Sequence, residues 1–199
     1  MSPRIVLLVV FLLLGLGAHT RQKRTPQSAP NSPASAEPTY RNSTFGFRYR
    51  TPYGWVERTK EMQEGTDASK GEVLLAVFEH PPEATADTIN SAVVIAAENA
   101  ASYPGLKKAE DYLGPLTELT TSKGFKAEGD PSETQIDSRT LIRVDFSKAL
   151  NDKLTMRQST LIMLAKSKIV SFTFIADSAE AIDELIERLG FSPAAARKN

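Results

Sequence analysis

Apolar residues enter this chain in two ways, as unbroken runs and as strict alternations, and the two predict different elements. The first run is Ile5 to Leu14, IVLLVVFLLL, standing behind Arg4 and prolonged by Gly15, Leu16, Gly17 and Ala18. Its order of charged, apolar and small residues is that of an export signal. The 14 residues from Ile5 to Ala18 fall short of the ~20 that a membrane-spanning helix needs. Gly17 and Ala18 offer a cut without a full Ala-x-Ala. Arg21, Lys23 and Arg24 follow the run, against the usual placing of positive charge on the cytoplasmic flank. Release and retention as an N-terminal anchor over residues 1–18 therefore both stay open. Either way, the expected location is outside the cytoplasm, periplasmic or secreted, with residues 5–18 as a membrane tether where they are kept.

From His19 to Pro38 the pattern vanishes: HTRQKRTPQSAPNSPASAEP has almost no large apolar residue. Such a segment cannot bury enough surface to offset its ordering entropy and reads as a disordered Pro/Ser/Ala-rich tether.

Alternation begins at the start of the folded part. In FGFRYR, Phe45, Phe47 and Tyr49 share one face while Gly46, Arg48 and Arg50 share the other, the signature of a half-buried strand. Pro52 and Gly54 then turn the chain into Trp55, and the polar stretch Glu57 to Gly71 reads as a loop. Val73 to Phe78 and Ala92 to Ala97 are apolar on both faces, as central strands are. For the second, its alanines make a helix the competing reading. Tyr112, Leu116 and Leu119 place a helix over about Lys107 to Ser122, kinked at Gly114 and Pro115 or restarted with Pro115 in its first turn. Three strands follow, Thr140 to Phe146, Leu154 to Ala165 and Ile169 to Ile175, joined by loops short enough for antiparallel hairpins. Ser132 to Asp137 offers a further edge strand. In the last helix Asp177 is placed to cap, Glu180 completes a capping-box pattern, Ile182, Leu185, Ile186 and Leu189 form the buried stripe, and Gly190 ends it. Strands followed by helices in this order predict an α+β domain over residues 39–191, an antiparallel sheet with helices packed on it, and a tail at 192–199.

Composition narrows the chemistry. The chain has no cysteine, which excludes a disulfide framework, a thiol nucleophile and a Cys-ligated zinc site. It has 24 basic and 24 acidic residues; Arg4, Arg21, Lys23 and Arg24 on one side and Glu37 on the other precede Thr39, leaving 20 and 23 from there on. A mildly acidic domain gives no reason to expect nucleic acid as partner. Its two histidines, His19 and His80, fit neither a Gly-x-Ser-x-Gly hydrolase pattern nor paired-His metal spacing. His80 beside Glu79 reads as a surface loop residue. Phosphate-binding glycine patterns are absent from the domain. Carboxylates such as Asp137, Asp145, Glu110 and Asp111 are too numerous for any pair to signal catalysis. Trp55 reads as a core anchor, and Asn42-Ser43-Thr44 matters only in a glycosylating host. No catalytic, cofactor-binding or metal residue is nominated and no cofactor is expected. Arg48 and Arg50, on the polar face of the first strand, are the candidate binding surface; on an edge strand they would instead discourage edge pairing.

Tyr40, Asn42, Gly46, Phe47, Pro52, Gly54 and Trp55, in YRNSTFGFRYRTPYGW, resemble the opening of PsbP-like domains. That fold group takes in photosystem II extrinsic proteins, Ran-binding proteins of the Mog kind and bacterial envelope proteins of the LpqN and DcrB kind. The order of elements over residues 40–191, ending in Leu-Gly-Phe, is similar too. The resemblance implies an α/β/α sandwich and a non-enzymatic binding or assembly role, with another envelope or extracellular protein as partner. No functional residue carries over from it. The alternative is a small-ligand carrier or hydrolase using a pocket between the sheet and the kinked helix near Gly114 and Pro115.

Overall fold

The structure is a computed structural model and describes residues 37–64, 71–81 and 88–192. The expected leader, the tether up to residue 36 and the tail from residue 193 lie outside these, and so does His19. In chain order the elements are β1 (Thr39–Asn42), β2 (Phe47–Arg50), β3 (Val56–Glu57), α1 (Thr59–Glu64), β4 (Gly71–Phe78) and β5 (Ala92–Asn99). Two 3-10 turns, Ala100–Ser102 and Ala109–Tyr112, lead into α2 (Leu113–Ser122). Then come β6 (Lys126–Ile136), β7 (Arg139–Ala149), β8 (Thr155–Ala165), β9 (Lys168–Ala176), α3 (Ala179–Ile186) and β10 (Leu189–Phe191).

Seven strands form one antiparallel sheet in the order β3-β4-β5-β9-β8-β7-β6, and β1-β2-β10 form a second sheet of three. β5 settles as a strand despite its alanines, because register partners flank it on both sides: Val94 faces Ala76 on β4 and Thr173 on β9. Tertiary pairing outweighs intrinsic propensity here. Lys166 and Ser167, both at positive φ, make the two-residue turn between β8 and β9, matching the strand twist as such turns do.

One face of the large sheet carries Leu75, Val77, Val93, Ile95, Leu141, Leu161, Phe172 and Phe174. They pack against Phe47, Tyr49, Leu189 and Phe191 of the small sheet and Ile182, Leu185 and Ile186 of α3. Aromatic rings knit this layer: Phe172 meets Phe47 edge-on at 5.1 Å and Phe191 at 6.0 Å. The opposite face is divided between two clusters. Val73, Phe78 and Val94 pack with Met62 of α1, while Val144, Phe146 and Ile162 pack with Tyr112 and Leu116 at α2. The helix-sheet-helix order therefore holds in part: one outer layer is built by a three-stranded sheet as much as by a helix.

Four expectations need correction. The polar stretch after Trp55 contains β3 and the short α1, which has no fully buried residue and so leaves no apolar periodicity to detect. Ser178, not Asp177, caps α3, its Oγ accepting from Ala181 N at 3.1 Å. Leu189 and Gly190 do not belong to the helix. They lie in β10 and pair with Tyr49 and Arg48. Finally, β6 is far longer than Ser132 to Asp137. Its register breaks between Glu128 and Ser132, where Gly129 takes φ +67° ahead of Asp130 and Pro131, a bulge that hides the strand from pattern reading. The central helix behaves as one of the two expected forms: a 3-10 turn runs to Tyr112 and α2 restarts with Pro115 in its first turn.

Candidate binding surface

Arg48 and Arg50 occupy the solvent side of β2, opposite Phe47 and Tyr49, which are buried. β2 is the middle strand of its sheet, so their role is not that of guarding an edge. Arg48 donates from Nη1 to Phe191 O at 3.3 Å, with its Nη2 3.8 Å from Asp137 Oδ2. Asp137, at φ +51° in the β6–β7 turn, also accepts from Phe191 N at 2.7 Å. Arg50 donates to Glu187 O at 3.3 Å. The register places Arg41 of β1 directly across from Arg48, and Gly190 of β10 on its other side. A Cβ at Gly190 would stand 2.8 Å from Arg48 Nη2. Glycine there lets the guanidinium lie along the sheet. Arg50 N donates to Arg188 O at 3.1 Å, and Arg188 itself pairs with Glu37 at 2.9 Å.

A groove of about 360 Å³ lies at one end of the large sheet, lined by Phe45, Lys108, Glu110, Glu133, Arg139 and Leu164 among others. Four separate chain segments meet there: the turn after β1, the approach to α2, the β6–β7 hairpin and the end of β8. Its buried apolar lining comes from both faces of the sheet, Phe45 and Met163 from the side of the small sheet and Ile142 from the side of α2, while Leu164 is partly exposed at 36%. Lys108, Arg139, Glu110 and Glu133 rim it and form no ion pair among the described residues. Gly114 and Pro115 do not line it, and the space beyond Gly114 is open.

A third feature is internal. Glu98, 3% exposed at the end of β5, accepts hydrogen bonds from the hydroxyls of Tyr103 and Tyr112, the latter at 2.7 Å. Burial raises the Glu98 carboxyl above its ordinary range, and the two phenols only partly offset this. The same burial, with the carboxylate close by, raises both tyrosines. The two phenol donors tie the approach to α2 to the end of β5.

The remaining candidates are structural. His80 is exposed, 3.8 Å from Glu79, and Asn90 bonds its backbone on both sides. Trp55 is half-buried against the core. The amide of Asn42 is used within its own turn, donating to Tyr40 Oη and accepting from Phe45 N. Asp145 is held by Arg143, which also reaches Asp183. Backbone N–H groups of Lys107 and Lys108 lower the Asp111 carboxyl. Among the described residues no group of three or more His, Asp or Glu could hold a metal ion, and no helix is long and apolar enough to cross a membrane.

No known family profile matches the sequence, and no curated protein matches it. The solved structures do contain relatives in shape. Cyanobacterial PsbP (CyanoP) from Synechocystis sp. PCC 6803 matches with a TM-score of 0.51, covering 84% of this chain and 100% of that one at 13% identity. The fold is PsbP-like. The Saccharomyces cerevisiae Ran-binding protein Mog1p matches at a TM-score of 0.46, with 8% identity over 78% of this chain and 95% of its own. LpqN, involved in cell envelope biogenesis of Mycobacterium tuberculosis, matches at 0.42, with 11% identity over 79% and 91%. At such identities the likeness is one of fold.

Within this PsbP-like domain, sequence reasoning found Arg48 and Arg50 but missed their neighbours. Arg41 was within reach, since Tyr40 and Asn42 flank it in one more short alternation. Arg188 was not, because only the pairing of β10 brings it to the small sheet. Glu98 was hidden behind the apolar run that ends at Ala97, and the groove by the sequence distance between its walls.

Proposed function

We propose that this chain is a non-enzymatic binding or assembly module that works outside the cytoplasm and engages another envelope or extracellular protein. The observation that carries the reading is the groove at the end of the large sheet. An apolar lining with a charged rim is the anatomy of a protein interface, where buried aromatic, methionine and arginine contacts are enriched at the centre and polar groups at the border. Arg139, Glu110 and Glu133, without ion pairs among the described residues, leave both signs of charge for a partner. The leader pattern supports an exported location.

A photo-reactive amino acid at Leu164, in the full chain expressed in its own cells, tests this. The expected result is one dominant protein adduct, absent when the probe is moved to the exposed Tyr53. The second reading is a small-ligand carrier, favoured by the groove's volume, which lies at the low end of the range for ligand sites. It predicts no protein adduct, and a small molecule of defined mass retained in native mass spectrometry of the purified chain. Neither an adduct nor a retained molecule would leave both readings without support.

A further inference from the structure

The solvent side of the three-stranded sheet presents a plane of guanidinium groups. Arg41 and Arg48 are directly opposed across β1 and β2, Arg50 stands two residues along, and the Arg50 N–H bonds the carbonyl of Arg188, the residue just before β10. Like charges directly opposite one another destabilise a sheet. Here the pair persists with only partial neutralisation: Asp137 is 3.8 Å from Arg48 and already accepts from a backbone N–H, while Glu37 is taken by Arg188. Arg41 is exposed and has no partner among the described residues. The other outward positions of these strands are Thr39 and Gly190. No apolar or aromatic side chain stands among them, so the face lacks the anchor that the core of a protein interface requires. Four arginines against two carboxylates leave the face with an excess of positive charge, complementary to an extended anionic plane.

The connectivity points to the same plane. β1, the edge strand bearing Arg41, is where the N-terminal segment enters, and that segment holds the apolar run Ile5 to Leu14 followed by Arg21, Lys23 and Arg24. The 20 residues from 19 to 38 span at most about 70 Å when fully extended. A chain held by its apolar run therefore keeps the arginine face within that distance of the bilayer.

We propose that Arg41, Arg48, Arg50 and Arg188 dock the domain against the anionic headgroups of a membrane. This deepens the binding-module reading by giving it a second surface, and it rests on that reading's placement of the chain outside the cytoplasm with the leader retained. Each cation near such a surface contributes about fivefold in affinity, so loss of two costs about 25-fold.

The absence of cysteine allows a clean test. Thr39→Cys, exposed on the arginine face, is labelled with a fluorophore in the full chain, which is reconstituted into phosphatidylcholine vesicles or into vesicles containing 30 mol % phosphatidylglycerol. Docking predicts that the label is shielded from acrylamide only on the phosphatidylglycerol vesicles, and that 0.5 M NaCl abolishes the shielding. It also predicts loss of shielding in the double variant Arg41→Gln/Arg50→Gln. The Arg41 side chain makes no hydrogen bond or ion pair among the described residues and that of Arg50 bonds one exposed carbonyl, so this variant keeps the fold, which circular dichroism verifies. Equal quenching on both vesicles overturns the proposal. So does shielding that survives the double substitution, which would assign it to Arg21, Lys23 and Arg24. Shielding that appears only when envelope protein is added to phosphatidylcholine vesicles reassigns the face to an acidic protein. That last result overturns membrane docking yet leaves the binding module standing, whereas a silent Leu164 probe removes the module's groove and leaves the membrane result untouched.

Discussion

The two faces of the large sheet are covered by different physical means. Toward the small sheet and α3 the contact is continuous and aromatic, with Phe47, Phe172, Phe174 and Phe191 fully or almost fully buried. Polar atoms there are misfits: Tyr49 Oη and Ser159 Oγ are buried without a hydrogen-bond partner among the described residues. Toward α1 and α2 the contact is split into two apolar clusters, and beside an unpaired Thr120 Oγ1 it holds a connected polar group, Tyr103 and Tyr112 converging on Glu98. Apolar burial is insensitive to pH, whereas a buried carboxylate ties stability to proton concentration. One layer is thus fastened permanently and the other conditionally.

Substitutions on each side can break that contrast. Phe172→Ala, in the aromatic layer, should lose about 3 to 5 kcal/mol, read from the urea midpoint, and should lose it equally at pH 5 and pH 8. Tyr112→Phe, on the opposite face, removes one donor from a buried acid and should cost about 1 to 3 kcal/mol. The cost should grow as pH rises through the raised folded-state value of Glu98, because the ionised carboxylate depends more on its phenol donors. Glu98 itself sets the slope. Its folded-state carboxyl is raised above the unfolded value, so its contribution is complete below the ordinary glutamate range and is lost as pH rises through the folded value. Thermal melts of the wild type should therefore weaken with rising pH across that interval, and Glu98→Gln should flatten the curve; an unchanged slope would place the titrating group elsewhere. The smallest effect has the opposite sign. Tyr49→Phe deletes an unpaired buried hydroxyl and should raise stability by up to about 1 kcal/mol, where the same change at residue 112 lowers it.

The layer that was legible in the sequence is the apolar one. Phe47 and Tyr49 announce their face by alternation, and Val170, Phe172 and Phe174 do the same in β9, because period-two burial writes itself directly into residue order. The conditional layer was much less so. Glu98, Tyr103 and Tyr112 are ordinary residues until folding brings them together, and hydrogen-bond partners leave no periodic trace. The small sheet fell between these cases. β2 read as a strand and β1 was not singled out, while β10 comprises only Leu189–Phe191 and follows a helix whose apolar spacing Leu189 continues, so the helical stripe absorbed it. The arginine face was visible as two residues; Arg41 stood within reach of the same kind of alternation, whereas Arg188 is brought to the small sheet only by the pairing of β10.

The bulge in β6 bears on what the sheet can become. A growing β-aggregate adds strands at a free edge, and a long outer strand is a ready template. β6 comprises 11 residues, yet Gly129 turns the ladder aside, Pro131 has no N–H to offer, and Lys126, Glu128, Asp130 and Glu133 add charges along it. An incoming strand finds a regular row only over Ser132 to Ile136, fewer than half the residues of the strand. The break, the proline and the charges make this edge a poor template for an eighth strand.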